Sequence, residues 1–259
     1  MTNMPIKPET SGPREETWAR PVDRLKVTDP HNGGVNLNVE GRHLTGPIRG
    51  FGQMWQKTYS IRLINAKVSP QELIQTWKDN FSSFWPKGNR FYTAQGGITP
   101  GDVALLNLAG PGGINPPGGP LISTGVMVIY ADDESFSFMT PEGHMFAGMV
   151  TFSAQQEEAI VVQIQALIRA SDPLYELMFR LGIGHRMEDD FWKQTLRNLG
   201  AHFQAETSEP ELRVVVVDPR LQWNEAKNIW QNAAIRTLVY TLGAPLRWLG
   251  RLFRRTEVV

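Results

Sequence analysis

Residues 159–180, AIVVQIQALIRASDPLYELMFR, decide the fold. In the first half Ile160, Val162, Ile164, Ala166 and Ile168 share one parity, while Gln163, Gln165 and Arg169 take the other. That period of two is the mark of a strand with one face buried. At Asp172-Pro173 the period changes: Asp caps a helix and Pro suits its first turn. Leu174, Leu177, Met178 and Leu181 then recur at helical spacing. Gly182 and Gly184 interrupt the stripe, which resumes over 186–203 with Phe191, Trp192, Leu196, Leu199 and Phe203. The glycines predict a kink in one long helix.

Working upstream, short strand-like runs precede this switch. In KTYSIRL, Tyr59, Ile61 and Leu63 alternate with polar neighbours. VSPQELIQTWKDNFSSFWP reads as a helix, with Ser69 and Glu72 forming a capping box, Pro70 at the first position and Pro86 as the stop. Next come RFYTA, DVALLNLAG, LISTGVMVIYA, SFSFM and GMVTFSA. The run GPGGINPPGGP at 110–120 is a loop, having too much Gly and Pro for either regular element. Strands separated by short turns pair antiparallel. The predicted class is therefore α+β: a curved antiparallel sheet of about seven strands, its apolar face covered by the long helix.

The chain has 259 residues, enough for one large domain or two small ones. Its 26 basic and 26 acidic residues balance, so no global charge draws it to nucleic acid, and no nucleic-acid partner is expected. The lack of cysteine excludes a thiol nucleophile and thiolate metal sites, and fits a reducing compartment. The first residues carry no apolar leader, and no window is long and apolar enough for a spanning helix. The expected location is cytoplasmic, with peripheral membrane contact in view. Three parts follow: an irregular N-terminal arm over 1–54, a domain over 55–205, and a C-terminal extension over 206–259.

This order of elements resembles the START-like helix-grip superfamily, also called SRPBCC, which includes polyketide cyclases and the birch-pollen allergens. Residues 143–203 look like an uncharacterised bacterial family within it, one with a Gly-His-Pro turn before the penultimate strand. Gly143, His144 and Gly148 match that turn, whereas Met145 stands where Pro is expected. The likeness covers roughly 55–205 and is specific for fold rather than chemistry. It implies a deep, mostly apolar cavity between sheet and helix. Inward parity places Phe138, Val150, Phe152, Val162, Ile164 and Ala166 on the sheet wall of such a cavity, with Met178 and Leu181 on the helix side; the same pattern also fits a solid core with no cavity.

The polar candidates are weaker. Glu142 and His144 read either as an orienter and general base, or as a hairpin turn set by Pro141 and Gly143 with polar groups in water; the turn is favoured. Asp132, Asp133 and Glu134 lack the spacing of a calcium loop and read as a solvated turn. Glu188, Asp189 and Asp190 are consecutive on a helix and point apart. His185 reads either as facing the cavity or as a cap on the preceding turn, the cap being favoured. No nucleotide fingerprint, His pair or nucleophile elbow is present. No metal, cofactor or catalytic residue is expected.

In the extension, LRVVVVD at 212–218 reads as an added edge strand, and Asn224 as the cap of a helix reaching Leu242. From Pro219 onward seven basic residues face two acidic ones, a net of +5. Arg247, Trp248, Arg251, Leu252, Phe253, Arg254 and Arg255 form a basic amphipathic segment suited to an anionic membrane surface or a partner's groove. The leading expectation is non-catalytic binding of an apolar small molecule or lipid. A cyclase or aromatase using the same cavity is one alternative. A scaffold or assembly subunit acting through the terminal extensions is another.

Overall fold

The computed structural model describes residues 17–28, 34–93, 97–117 and 119–243. Its strands are β1 (Met54–Ile64), β2 (Arg90–Tyr92), β3 (Val103–Leu108), β4 (Ile122–Ala131), β5 (Ser135–Met139), β6 (Phe146–Gln156), β7 (Ile160–Ala170), β8 (Glu206–Thr207) and β9 (Glu211–Asp218). Its helices are α1 (Pro70–Asp79), α2 (Pro173–Arg180), α3 (Ile183–His202) and α4 (Ala233–Leu242). All nine strands join one antiparallel sheet in the order β2-β3-β4-β5-β6-β7-β1. β8 and β9 both pair with the outer edge of β1. The first strand thus closes beside the seventh, α1 lies in the link between β1 and β2, and α3 packs on the inner face. This is the helix-grip arrangement, with β9 added at an edge as expected and the short β8 beyond the strands expected.

Local chemistry sets the elements. The Ser69 hydroxyl accepts from the Glu72 amide at 3.2 Å while the Glu72 carboxylate accepts from the Ser69 amide at 2.9 Å. This closes the first turn of α1. The helix then buries Leu73, Ile74 and Trp77. Asp172 caps α2 by accepting from the Leu174 and Tyr175 amides at 2.8 and 3.1 Å. The long β6–β7 hairpin sets Phe152 opposite Ile164 and Val150 opposite Ala166. These apolar pairs turn one face of the sheet toward α3.

Part of the outer face is covered as well. Residues 17–28 and 34–53 include segments lying over the outer face of β3 and β4, where Leu25 and Val39 bury against Val103, Leu105 and Met127. Gly125 makes this approach possible, because a Cβ there would strike the Val39 methyls and the Ala104 carbonyl.

Three expectations are corrected. The kinked helix is a break: Gly182 takes a left-handed φ of 73°, its amide bonds the Phe179 carbonyl at 2.8 Å, and α3 starts anew. The first helix ends at Asp79, and Phe81–Phe84 form a separate 3-10 turn. The helix expected from Asn224 is a 3-10 stretch, Trp223–Gln231, followed by α4, whose cap is Asn232.

Candidate functional site

The interior between sheet and α3 is the first place to look. Phe138, Phe152, Val162 and Ile164 lie in one buried cluster there, with Val150 packed against it. Ala166 is also buried. The helix-side residues differ: Leu181 is 63% exposed, Met178 is half-buried, and neither joins that cluster. α2 instead buries Tyr175 and Phe179 against Ile122, Ala170 and Ala233. Its expected stripe faces outward because the Gly182 break lets α2 turn independently of α3. Aromatic rings crowd this interior. Phe81 touches Phe91, Phe136, Phe138 and Phe152 at centroid distances of 4.8–5.6 Å. Phe136 stacks on Phe152 at 4.7 Å, and Trp77, Trp85, Phe191 and Trp192 continue the network. Edge-to-face packing at these distances fills space as a protein core does.

Below this core sits an ionic cluster that sequence reasoning missed. Lys57 of β1, 1% exposed, donates to Glu188 at 2.8 Å and to Asp189 at 2.7 Å, and Tyr59 donates to Asp189 at 2.7 Å. Both carboxylates leave α3 toward one ammonium. Burial pushes the Glu188 carboxyl up to about 7, against the pull of Lys57. Burial, then the two carboxylates, also push the Tyr59 hydroxyl far up. His185 is not a cap: its ring lies between Trp55 and Phe179 at 4.9 and 4.8 Å. Burial and Lys57 hold it below the usual imidazole range, opposed by Asp189. Such convergence marks many active sites. Here Lys57, Tyr59 and the carboxylates satisfy one another, and neither described concavity is lined by them.

Glu142 and His144 do not pair. The Glu142 carboxylate accepts from the His43 amide at 3.3 Å, while His144 Nδ1 accepts from the Phe146 amide at 3.0 Å. Gly143 adopts φ 85° in the turn, where a Cβ would strike the Gln231 carbonyl. The turn reading holds, with one change: His144 is buried, and burial lowers its pKa to about 4. Asp132 is spent on its own turn, accepting from the Glu134 and Ser135 amides at 2.8 Å. Among the described residues no cluster of His, Asp or Glu is arranged to hold a metal ion.

The distinctive surface belongs to the C-terminal extension. The inner side of α4 is small and polar: Ala233 and Thr237 are buried. The Thr237 hydroxyl accepts from the Ser123 amide at 3.0 Å, and buried Asn38 donates to the Ala233 and Ser123 carbonyls at 3.3 and 2.8 Å. Asn232 adds a bond to Asp172 at 2.8 Å. Opposite these pins, Ile235, Leu238, Val239 and Leu242 follow at i, i+3, i+4 and i+7, and all face solvent. Leu238, Val239 and Leu242 are 56, 66 and 71% exposed. Trp230, just before the helix, is 83% exposed. β9 also leaves Val214 to Val217 exposed.

Beside α4 lies a solvent-open groove of about 490 Å³, lined by Arg24, Arg42, His43 and Arg236 together with Glu40 and Glu142. The predicted contact residues Arg247, Trp248, Arg251, Leu252, Phe253, Arg254 and Arg255 lie outside the described residues. No described helix is long and apolar enough to cross a membrane.

No protein-family model and no curated protein matches the chain. Among solved structures it is similar to protein Ms6760 from Mycobacterium smegmatis, at 12% identity and TM-score 0.40, over 57% of this chain and 89% of that one. It is also similar to the di-domain ARO/CYC StfQ from the steffimycin biosynthetic pathway, at 10% identity and TM-score 0.41, over 58% and 51% of the two chains. A third is major latex-like protein 151 from Panax ginseng, at 15% identity and TM-score 0.37, over 59% and 99%. Likenesses this distant are of architecture only.

Proposed function

We propose that the protein is a non-catalytic module that docks peripherally on an anionic lipid surface through its C-terminal extension. The observation that carries this reading is the orientation of α4. An ordinary surface helix turns its apolar stripe inward. This one is pinned by Thr237, Ala233 and Asn232 and holds Ile235, Leu238, Val239 and Leu242 outward. An interfacial helix has that form, and an exposed Trp suits the headgroup level. Charge completes the match: the net of +5 from Pro219 onward favours anionic lipid, at about 1 kcal/mol per Arg near the surface. Half-insertion of each apolar side chain adds about 1 kcal/mol.

On this reading the lipid contact sits outside the sheet. Phe138, Val150, Phe152, Val162, Ile164 and Ala166 then serve as a packed core that fixes the platform for α4. Vesicle flotation tests the proposal. The protein is expected to float with phosphatidylcholine vesicles containing phosphatidylserine, and to be released as salt rises. Equal recovery on pure phosphatidylcholine would contradict the electrostatic part. No recovery on either would overturn the reading.

A further inference from the structure

The groove beside α4 has an unusual charge arrangement. Arg42 is half-buried, and its guanidinium makes no hydrogen bond or ion pair among the described residues. Half-buried, it keeps access to solvent at the groove. Arg236, on α4 itself, donates to Asn38 at 2.9 Å. Arg24 donates to the Gly41 carbonyl at 2.8 Å. The two acids on the rim are already engaged: Glu40 accepts from the Val27 amide at 2.7 Å, and Glu142 from the His43 amide. Asp23 approaches Arg24 at 3.8 Å and His43 at 3.6 Å from the side. Burial first, then Arg236, lowers the Arg42 pKa, with Glu142 opposing. Arg24, Arg42 and Arg236 thus line one solvent-open groove of about 490 Å³, which has room for an anion.

We propose that this groove receives the phosphomonoester headgroup of a membrane lipid, with Arg42 at its floor and Arg24 and Arg236 at its rim. Planar guanidinium forks match phosphate oxygens in pairs, and a monoester offers three terminal oxygens and more than one negative charge. Arg236 lies on the helix that carries the apolar stripe, so a headgroup held there keeps its acyl chains beside Leu238 and Val239. The proposal rests on the lipid-docking reading and gives that surface a preference.

The test is flotation of the full chain with two vesicle types of equal charge, one carrying phosphatidic acid and one phosphatidylserine, in phosphatidylcholine. The wild type is expected to bind the phosphatidic acid vesicles roughly tenfold more tightly. Arg42→Gln is expected to bring both affinities to one level. Arg24→Gln, at an exposed side chain, replaces it if Arg42→Gln fails to fold by circular dichroism. Equal wild-type affinity for both vesicles overturns the groove while leaving the docking face intact. Binding to neither vesicle removes the docking face and this proposal with it. Calorimetric saturation by micromolar inorganic phosphate would make the free anion the ligand and overturn the lipid assignment.

Discussion

Lys57 carries the clearest residue-scale consequence. One buried ammonium is shared between Glu188 and Asp189, and burial keeps the Glu188 proton on to about pH 7. From its ordinary value of 4.5 up to about 7, the folded chain holds a proton that the unfolded chain has released. This contribution to stability is therefore complete below 4.5 and is lost as pH rises toward 7. His144, lowered to about 4 from 6.5, slopes the other way, adding stability as pH rises through that range. Glu188→Gln removes only the first slope. Chemical denaturation across this range is expected to show the variant gaining on the wild type as pH rises, by on the order of 3 kcal/mol in all. Parallel curves would contradict a protonated Glu188. Little of this was legible in the sequence. Adjacent acids on a helix do diverge at the backbone; what brings Glu188 and Asp189 together is the reach of a lysine from a strand more than 100 positions earlier.

At the scale of elements, local chemistry was readable and orientation was not. Ser69–Glu72 and Asp172-Pro173 each mark a helix start by a mechanism confined to one turn, and both are found as expected. Gly182 was recognised as an interruption, but a kink and a break share the same residues. They differ in the left-handed φ and in the carbonyl that the amide reaches. Gly182→Ala is expected to lower stability by about 1 kcal/mol, since no atom crowds the Cβ and only the backbone is strained. A urea midpoint unchanged from the wild type would contradict the break. The α4 stripe shows the same limit. Ile235, Leu238, Val239 and Leu242 are periodic in the sequence, and periodicity alone implies an inward face. Only the hydrogen bonds of Thr237 and Asn38 show that the helix is held the other way round.

For the whole molecule, Phe138, Phe152, Val162 and Ile164 lie in one buried cluster, the face that parity along β5, β6 and β7 points them to, and the strands pair antiparallel as expected. Parity says which way a side chain points and nothing about the space left over. That space depends on how Trp77, Phe81, Trp85 and Phe91, from elements distant in sequence, meet the rings of the sheet. They crowd it, and among the described residues the outside of α4 carries an exposed apolar stripe at helical spacing. The account stands on that surface, and charge on it tests the claim most directly. In the double variant Leu238→Glu and Val239→Glu both side chains point to solvent, so the fold should keep its circular dichroism and melting temperature. Flotation with anionic vesicles is expected to fall at least tenfold relative to the wild type. A folded double variant that floats as well as the wild type would contradict the account.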